Sequence, residues 1–494
     1  MSDSIDQARR DVHCAFEEAL AWAERDGRRS FFEYERQAWT LMLALGRALV
    51  VLFLAHQARR PRPVEYRHEG NRYRLDGERT SELGTRFGKV SFTRPKGCLT
   101  PKQRGKCDLP VDRELKLCSG FSLGVVLDMT RLCAQMAYAS ARATHREFCG
   151  WAPSPRAVMR MIDGAGEEAR PFLEQAPPPK DDGEILVIEV DAKGAPMISE
   201  QEHQRRSQPH QAKWAGKGTR RHARRRRRRA QARPRRTKGK KSKNAKMAFV
   251  GAIYTLKTTP DGMEGPIEKR LYATFESHEE LFIWLLREAQ KRGYGNGTKE
   301  CFFLADGSDH IWRLQERYFG EAEPCVDWYH IVEKLWTAGA CLHREGSREQ
   351  AEWVCEQANR LRRGAASAVL EELRQRLAEI PRTGPGNKGK RKRLGDIIKH
   401  YRKNLARMRY DVLRARDLVI GTGVIEGAVR HLVGFRLDCP GRWGRLRSEK
   451  LLRLRCILLN GQWDEFTEYL AKRRGLALPA QPQPTVTHDA KKAA

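Results

Sequence analysis

Between Arg205 and Lys246 the chain carries twenty Lys and Arg and no Asp or Glu. Within it Arg224, Arg225, Arg226, Arg227, Arg228 and Arg229 form an unbroken arginine run. A block of this kind cannot build a core, because its charges repel one another and it has few apolar residues to bury. Residues 204–246 therefore read as a disordered insertion, and any domain around it must close from segments on both sides. The tract is suited to lie on phosphates, where its six consecutive arginines above all would supply affinity that is independent of sequence and steep in salt.

The rest of the chain sharpens that reading. A formal net charge of +32 over 494 residues resists compaction unless an anionic partner offsets it. Nucleic acid is the first candidate partner and an anionic membrane the second. Apolar residues make up 40%, enough for real cores, and the length predicts two to four domains. The longest apolar stretch, Leu41 to Ala55, contains Gly46 and Arg47 and falls short of the roughly 20 apolar residues of a spanning helix. The segment Met1 to Arg10 is polar and carries both charges, unlike a signal peptide. Twelve cysteines are scattered without a CxxC pair, so reduced thiols and a cytoplasmic location are expected. Cys98, Cys107 and Cys118 read as buried or idle thiols, with a distorted metal site as the other reading.

Residues 1–60 show helical spacing, and 61–118 read as a small β-rich unit with turn residues at Gly70, Asn71, Asp76 and Gly77. In 119–175 two helices flank Trp151 to Pro155. Ser154 is a good N-cap, Pro155 fits a first turn, and a short helix from Arg156 to Ile162 follows, carrying Arg156 and Arg160, a pattern like a helix-turn-helix or a plain helical hairpin. A Pro-rich linker, 176–183, leads to the continuous apolar run Ile185 to Val190, broken only by Glu189 and ending in Asp191. After the basic tract come two strands (Ala248 to Leu256, Lys269 to Phe275) and a helix (His278 to Arg292). A strand ending in Asp306, another helix and the short strand before Asp327 follow. Three antiparallel strands followed by parallel ones with crossover helices is the order of an RNase H-like sheet. The expected fold is thus an α/β RNase H-like core with a mixed five-stranded sheet, spanning 185–340 and 419–475. An all-α insertion, 341–418, interrupts it. An α-rich N-terminal DNA-binding region precedes it, and a disordered tail, 476–494, follows.

Two acids end central strands and a third, Glu426, opens a helix after Gly421-Thr422-Gly423. Phosphodiester chemistry needs a nucleophile held in line and cations that neutralise the attacking and leaving oxygens, which two Mg²⁺ (or Mn²⁺) ions supply. Such hard ions accept a few carboxylates, so Asp191, Asp306 and Glu426 are the expected metal ligands. Glu189, Asp309 and Asp327 are competing carboxylates, and an Asp after a strand is also a common turn former. Asp327 reads as a helper or N-cap. His330 reads either as a structural hydrogen-bonding residue or as a group that orients a carboxylate or phosphate. Trp443, beside Arg442, reads as a base-stacking residue or a core tryptophan.

Five motifs in order carry a family resemblance: Val187-Ile-Glu-Val-Asp191, Phe303-Leu-Ala-Asp306-Gly-Ser, Asp327-Trp-Tyr-His330, Thr422-Gly-Val-Ile-Glu426, and the stretch from Arg442-Trp443 through Leu452-Arg-Leu-Arg455 to Asn460-Gly-Gln-Trp463. Together they resemble insertion-sequence DDE transposases of the ISKra type, relatives of the Mutator-like group. The resemblance implies metal-dependent cleavage at transposon ends and transfer of the freed 3′-hydroxyl into target DNA. It further implies recognition of terminal inverted repeats by the N-terminal third, a bacterial setting on the nucleoid, and a homo-oligomer on DNA. The basic tract is longer and more arginine-rich than the family pattern, and paired cysteines are missing around Cys98 and Cys107. An inactive or structural DNA-binding protein and a plain nuclease on the same fold stand as alternatives.

Overall fold

The computed structural model describes residues 3–25, 27, 30–101, 107–118, 120–180, 182–199, 201, 245–297, 299–438 and 443–476. Of the residues expected to contact DNA, Arg224, Arg225, Arg226, Arg227, Arg228, Arg229 and Arg442 lie outside the described residues, as does the tail beyond 476. The chain divides into two compact units, residues 1–168 with 462–494, and residues 169–461.

In the first unit, helices α1 (Asp3–Ala23) and α2 (Phe31–Arg59) lie against one another. Ser30 and Glu33 form a reciprocal capping box that starts α2. Strands β1 (Glu65–His68), β2 (Asn71–Thr85), β3 (Gly88–Leu99) and β4 (Cys107–Asp108) make an antiparallel sheet in that order, the small β-rich unit expected from the turn residues. Val90 and Phe92 of β3 face inward and meet Leu54, Leu83 and Val111 in one apolar cluster. Arg94, next on that face, is buried and bound through two nitrogens to Asp112 at 2.7 and 2.6 Å, the pairing a buried guanidinium needs.

After α3 (Pro110–Glu114) and α4 (Leu123–Gln135), α5 (Tyr138–Cys149) ends at Gly150, whose φ of 73° is left-handed. The next helix, α6 (Pro155–Gln175), is far longer than the Arg156 to Ile162 segment expected, and Ser154 caps it by accepting from the Ala157 N–H at 3.2 Å. Arg156 and Arg160 are both exposed on it.

The second unit holds a five-stranded mixed sheet. Its strands are β5 (Ile185–Pro196), β6 (Ala245–Thr259), β7 (Gly262–Thr274), β8 (Glu300–Ala305) and β9 (Glu323–Val326), in the order β7-β6-β5-β8-β9. The pairs β5–β6 and β6–β7 are antiparallel, whereas β5–β8 and β8–β9 are parallel. This is the expected mixed sheet and strand sequence. Strand β6 starts at Ala245, so Ala245 and Lys246, expected inside the basic insertion, belong to the sheet. Parallel pairs require crossovers, here α7 (His278–Lys291) and α8 (Asp309–Tyr318). Ile185 to Val190 are all buried because this central strand is covered on both faces.

Beyond β9 the chain is helical: α9 (Trp328–Leu342), α10 (Arg348–Arg362), α11 (Ala366–Glu379), α12 (Asn387–Asn404) and α13 (Tyr410–Ala415). Then come α14 (Gly423–Val429), a π-helical turn at Arg430–Gly434, α15 (Phe435–Leu437) and α16 (Arg445–Leu459). The last helix, α17 (Trp463–Arg473), belongs to the first unit. Among the described residues, α2 alone is long and apolar enough to cross a membrane by length and composition.

Candidate active site

The parallel register of β5 on β8 pairs Val190 with Ala305, the last residue of β8, so Asp191 and Asp306 follow paired positions. Asp306 lies just past its strand, whereas β5, expected to end in Asp191, continues to Pro196 because Asp191 and the residues after it stay paired with β6. Asp191 accepts the Ala192 N–H at 2.6 Å, and Asp306 accepts the Ser308 N–H at 3.0 Å in a tight turn before α8. Burial raises the Asp191 carboxyl above its ordinary range, the negative charges of Asp306 and Glu426 push the same way, and the Ala192 amide and His330 oppose them. Asp191 therefore lies within reach of the charges of both Asp306 and Glu426.

Glu426 reaches that face through a neighbour that the sequence marked only as a competitor. Glu189 is fully buried, two residues before Asp191 on β5. Its carboxylate accepts the Tyr254 hydroxyl at 2.7 Å and the Ile425 N–H at 2.8 Å. The second bond occupies one of the unpaired amides of the first turn of α14 and pins it against the strand that carries Asp191. Burial holds the Glu189 carboxyl up to about 7, against the pull of these two donors. The available signal was a lone acid in an otherwise apolar buried strand, which must find partners to be tolerated.

Asp327 ties together three segments. Its N–H donates to the Ala305 carbonyl at 2.9 Å, beside Asp306. Its side chain accepts the Thr422 N–H at 2.8 Å, just ahead of α14, and the His330 N–H at 3.0 Å as N-cap of α9. The same carboxylate accepts from His330 Nδ1 at 2.5 Å. Burial acts to raise Asp327, but these bonds outweigh it and the carboxyl lies below its usual range. His330 is raised to about 9, first by the Asp327 bond and then, against burial, by the charges of Asp327, Asp191 and Asp306. At neutral pH it is an imidazolium facing the acids. Asp309, the other competitor, instead pairs with Lys403 of α12 at the exposed start of α8.

Helix α12 also closes over this corner. A methyl group at Gly307 would overlap the His400 ring and crowd Asn404. Tyr401 donates to the Ile331 carbonyl at 2.9 Å, and the Arg407 guanidinium lies 4.5 Å over the Trp312 ring. The buried arginines of the Leu452 to Arg455 motif brace the other side. Arg455 donates to the carbonyls of Leu432 and His431 in the π-helical turn, where pairing is displaced by one residue, and Arg453 binds Glu276 at 2.9 Å. Trp443 is partly buried, with its indole N–H on the Leu437 carbonyl at 2.9 Å and the Arg436 guanidinium 4.8 Å over its ring.

Asp191, Asp306, Glu426, Asp327 and His330 thus come together in the second unit, whereas Arg156 and Arg160 belong to the first. Among the described residues, no three His, Cys, Asp or Glu side chains are grouped closely enough to hold a metal ion as they stand. Cys98 and Cys107 are cross-strand neighbours on β3 and β4, and both are free thiols, as is Cys118. No protein-family model matches the chain, and no curated protein matches it.

Proposed function

We propose that this chain is a DDE-type DNA transposase with an RNase H-like core interrupted by a helical insertion. It would cut at the ends of its element and join the freed 3′-hydroxyl to target DNA. The observation that supports this reading best is the placement of three acids. Two follow paired positions of parallel central strands, Asp191 within β5 and Asp306 just past β8, and the third sits on a helix whose first turn is bonded to the strand of the first. A protein that only coats DNA has no need of this arrangement.

The donor set suits hard divalent cations, since Asp191 is held up partly by its anionic neighbours and a cation would relieve that repulsion. Two Mg²⁺ or Mn²⁺ ions, held by Asp191, Asp306 and Glu426, would neutralise charge on the attacking and leaving oxygens. His330, protonated and fixed by Asp327, would donate to a phosphate oxygen and offset part of the acid charge. The arginine tract, Arg224 to Arg229 foremost, would hold duplex DNA by its phosphates, and Arg156 and Arg160 on α6 would read the terminal repeats.

Incubating the full chain with DNA bearing the element's ends, with Mg²⁺ and then with excess chelator, tests this function. Cleavage at the ends that the chelator stops is expected. The second reading is a DNA-binding protein without chemistry, favoured by the absence of a closed three-ligand group among the described residues. Tight binding that leaves the DNA intact in Mg²⁺ and in Mn²⁺ would select it.

A further inference from the structure

Helix α2 presents Phe32, Trp39, Met42, Leu49 and Phe53 to solvent. Their spacing alternates in steps of three, four and seven, the seam of a helix that meets another helix. The stripe would break at Gly46, but Phe87, from the turn between β2 and β3, lies where a Gly46 side chain would be. Phe148, at the end of α5, extends the patch beside Trp39, whose indole N–H donates to the Phe148 carbonyl at 2.9 Å. These seven side chains are between 42% and 68% exposed. At roughly 150–250 Å² for each aromatic, about half of it exposed, they offer roughly 600 Å² on one face. That reaches the upper end of the largest apolar patch on a typical monomer.

We infer that this face is where a second copy of the chain docks. Two such faces would bury about 1,200 Å² in a symmetric pair, the lower end of stable interfaces. Charge points the same way. Copies of a chain with a net charge of +32 repel each other, so they can meet only where charge is locally balanced. Here Glu35 and Arg36 lie side by side, both exposed, among the apolar residues. A twofold axis, which places the same patch on both partners, requires a self-complementary surface of this kind. A lipid surface fits less well. The flank of α2 is packed on the sheet through Leu54, and Glu35 would have to enter the apolar phase.

Sedimentation velocity on the full chain, free of DNA and in high salt, tests the inference independently of any cleavage activity. The expected result is a concentration-dependent dimer at micromolar protein, with Trp39→Glu and Phe53→Glu each weakening it about 30-fold or more. Met42→Lys serves as a further variant should either fail to fold, and far-UV circular dichroism checks each. A wild type that stays monomeric, or a dimer that survives the variants intact, overturns the inference. So does co-flotation of the wild type with anionic phospholipid vesicles that the variants abolish.

Discussion

The carboxylate of Glu189 accepts the backbone N–H of Ile425 at 2.8 Å, joining the residue two before Asp191 to the residue just before Glu426. Residues 236 positions apart are therefore held in fixed relation by one buried bond. The first turn of the helix that carries Glu426 is thus held to the strand that carries Asp191 by a further buried acid.

Replacing Glu189 with Ala leaves the Tyr254 hydroxyl and the Ile425 amide buried without acceptors. Each orphaned group costs about 1–3 kcal/mol, so a loss of about 3 kcal/mol in urea denaturation is expected, together with loss of end cleavage. Glu189→Gln keeps the shape and one acceptor oxygen and should lose less. Equal stability of Ala and wild type would show that the bond carries no weight.

The Asp327–His330 pair gives a pH dependence of definite sign. His330 is raised in the fold to about 9. Its contribution to stability is full below its unfolded value of about 6.5 and is lost as pH rises through about 9. Asp327 is lowered, so its contribution is present above its unfolded value and is lost as pH falls through the folded one. Asp327→Asn keeps an acceptor for Thr422 but removes the charge beside His330. NMR titration of the imidazole should then show its midpoint falling toward the ordinary histidine value, and thermal melts should lose the alkaline limb. An unmoved midpoint would mean that Asp327 does not set the charge of His330.

Gly307→Ala drives a methyl group into the His400 ring. Overpacking of this kind costs about 1–3 kcal/mol, and the turn that carries Asp306 must shift. Cleavage should fall at least ~10-fold, the effect of misplacing a reacting group, while filter binding of DNA stays within a factor of about 2. A variant that cleaves normally would show that Asp306 tolerates displacement.

Deleting residues 205–244, which spares the start of β6 at Ala245, should flatten the salt dependence of DNA binding, because fewer counterions would be released. The slope of log affinity against log salt is the readout, and an unchanged slope would mean that the tract does not touch DNA.

Much of the sheet was legible in the sequence because buried strands leave a dense signal. Ile185 to Val190, broken only by Glu189, and Cys301 to Ala305 are apolar runs, and an acid follows each, although β5 runs on past Asp191 to Pro196 where its pairing with β6 continues. The start of β6 was harder to place, because Ala245 and Lys246 look like the end of the charge run, yet they pair with Pro196 and Ala195. Helix α6 was read short because Gly164, Gly166 and Pro171 look like breakers, whereas its buried face, Val158, Ile162, Ala165, Ala169 and Leu173, carries it to Gln175. Tertiary packing overrode local propensity there. Within the site, Asp191, Asp306 and Glu426 could be read from their elements. Glu189 and Asp327 act through partners far away in the chain, Ile425 and Thr422, which no local pattern announces.

The most direct measurement is Mg²⁺-dependent cleavage of DNA carrying the element's own ends by wild type, Asp191→Ala, Asp306→Ala and Glu426→Ala, with binding followed in parallel. The account predicts cleavage at the ends by the wild type and its loss in all three variants while each still binds. Cleavage that survives in any of them, or a wild type that binds and never cuts, would contradict it.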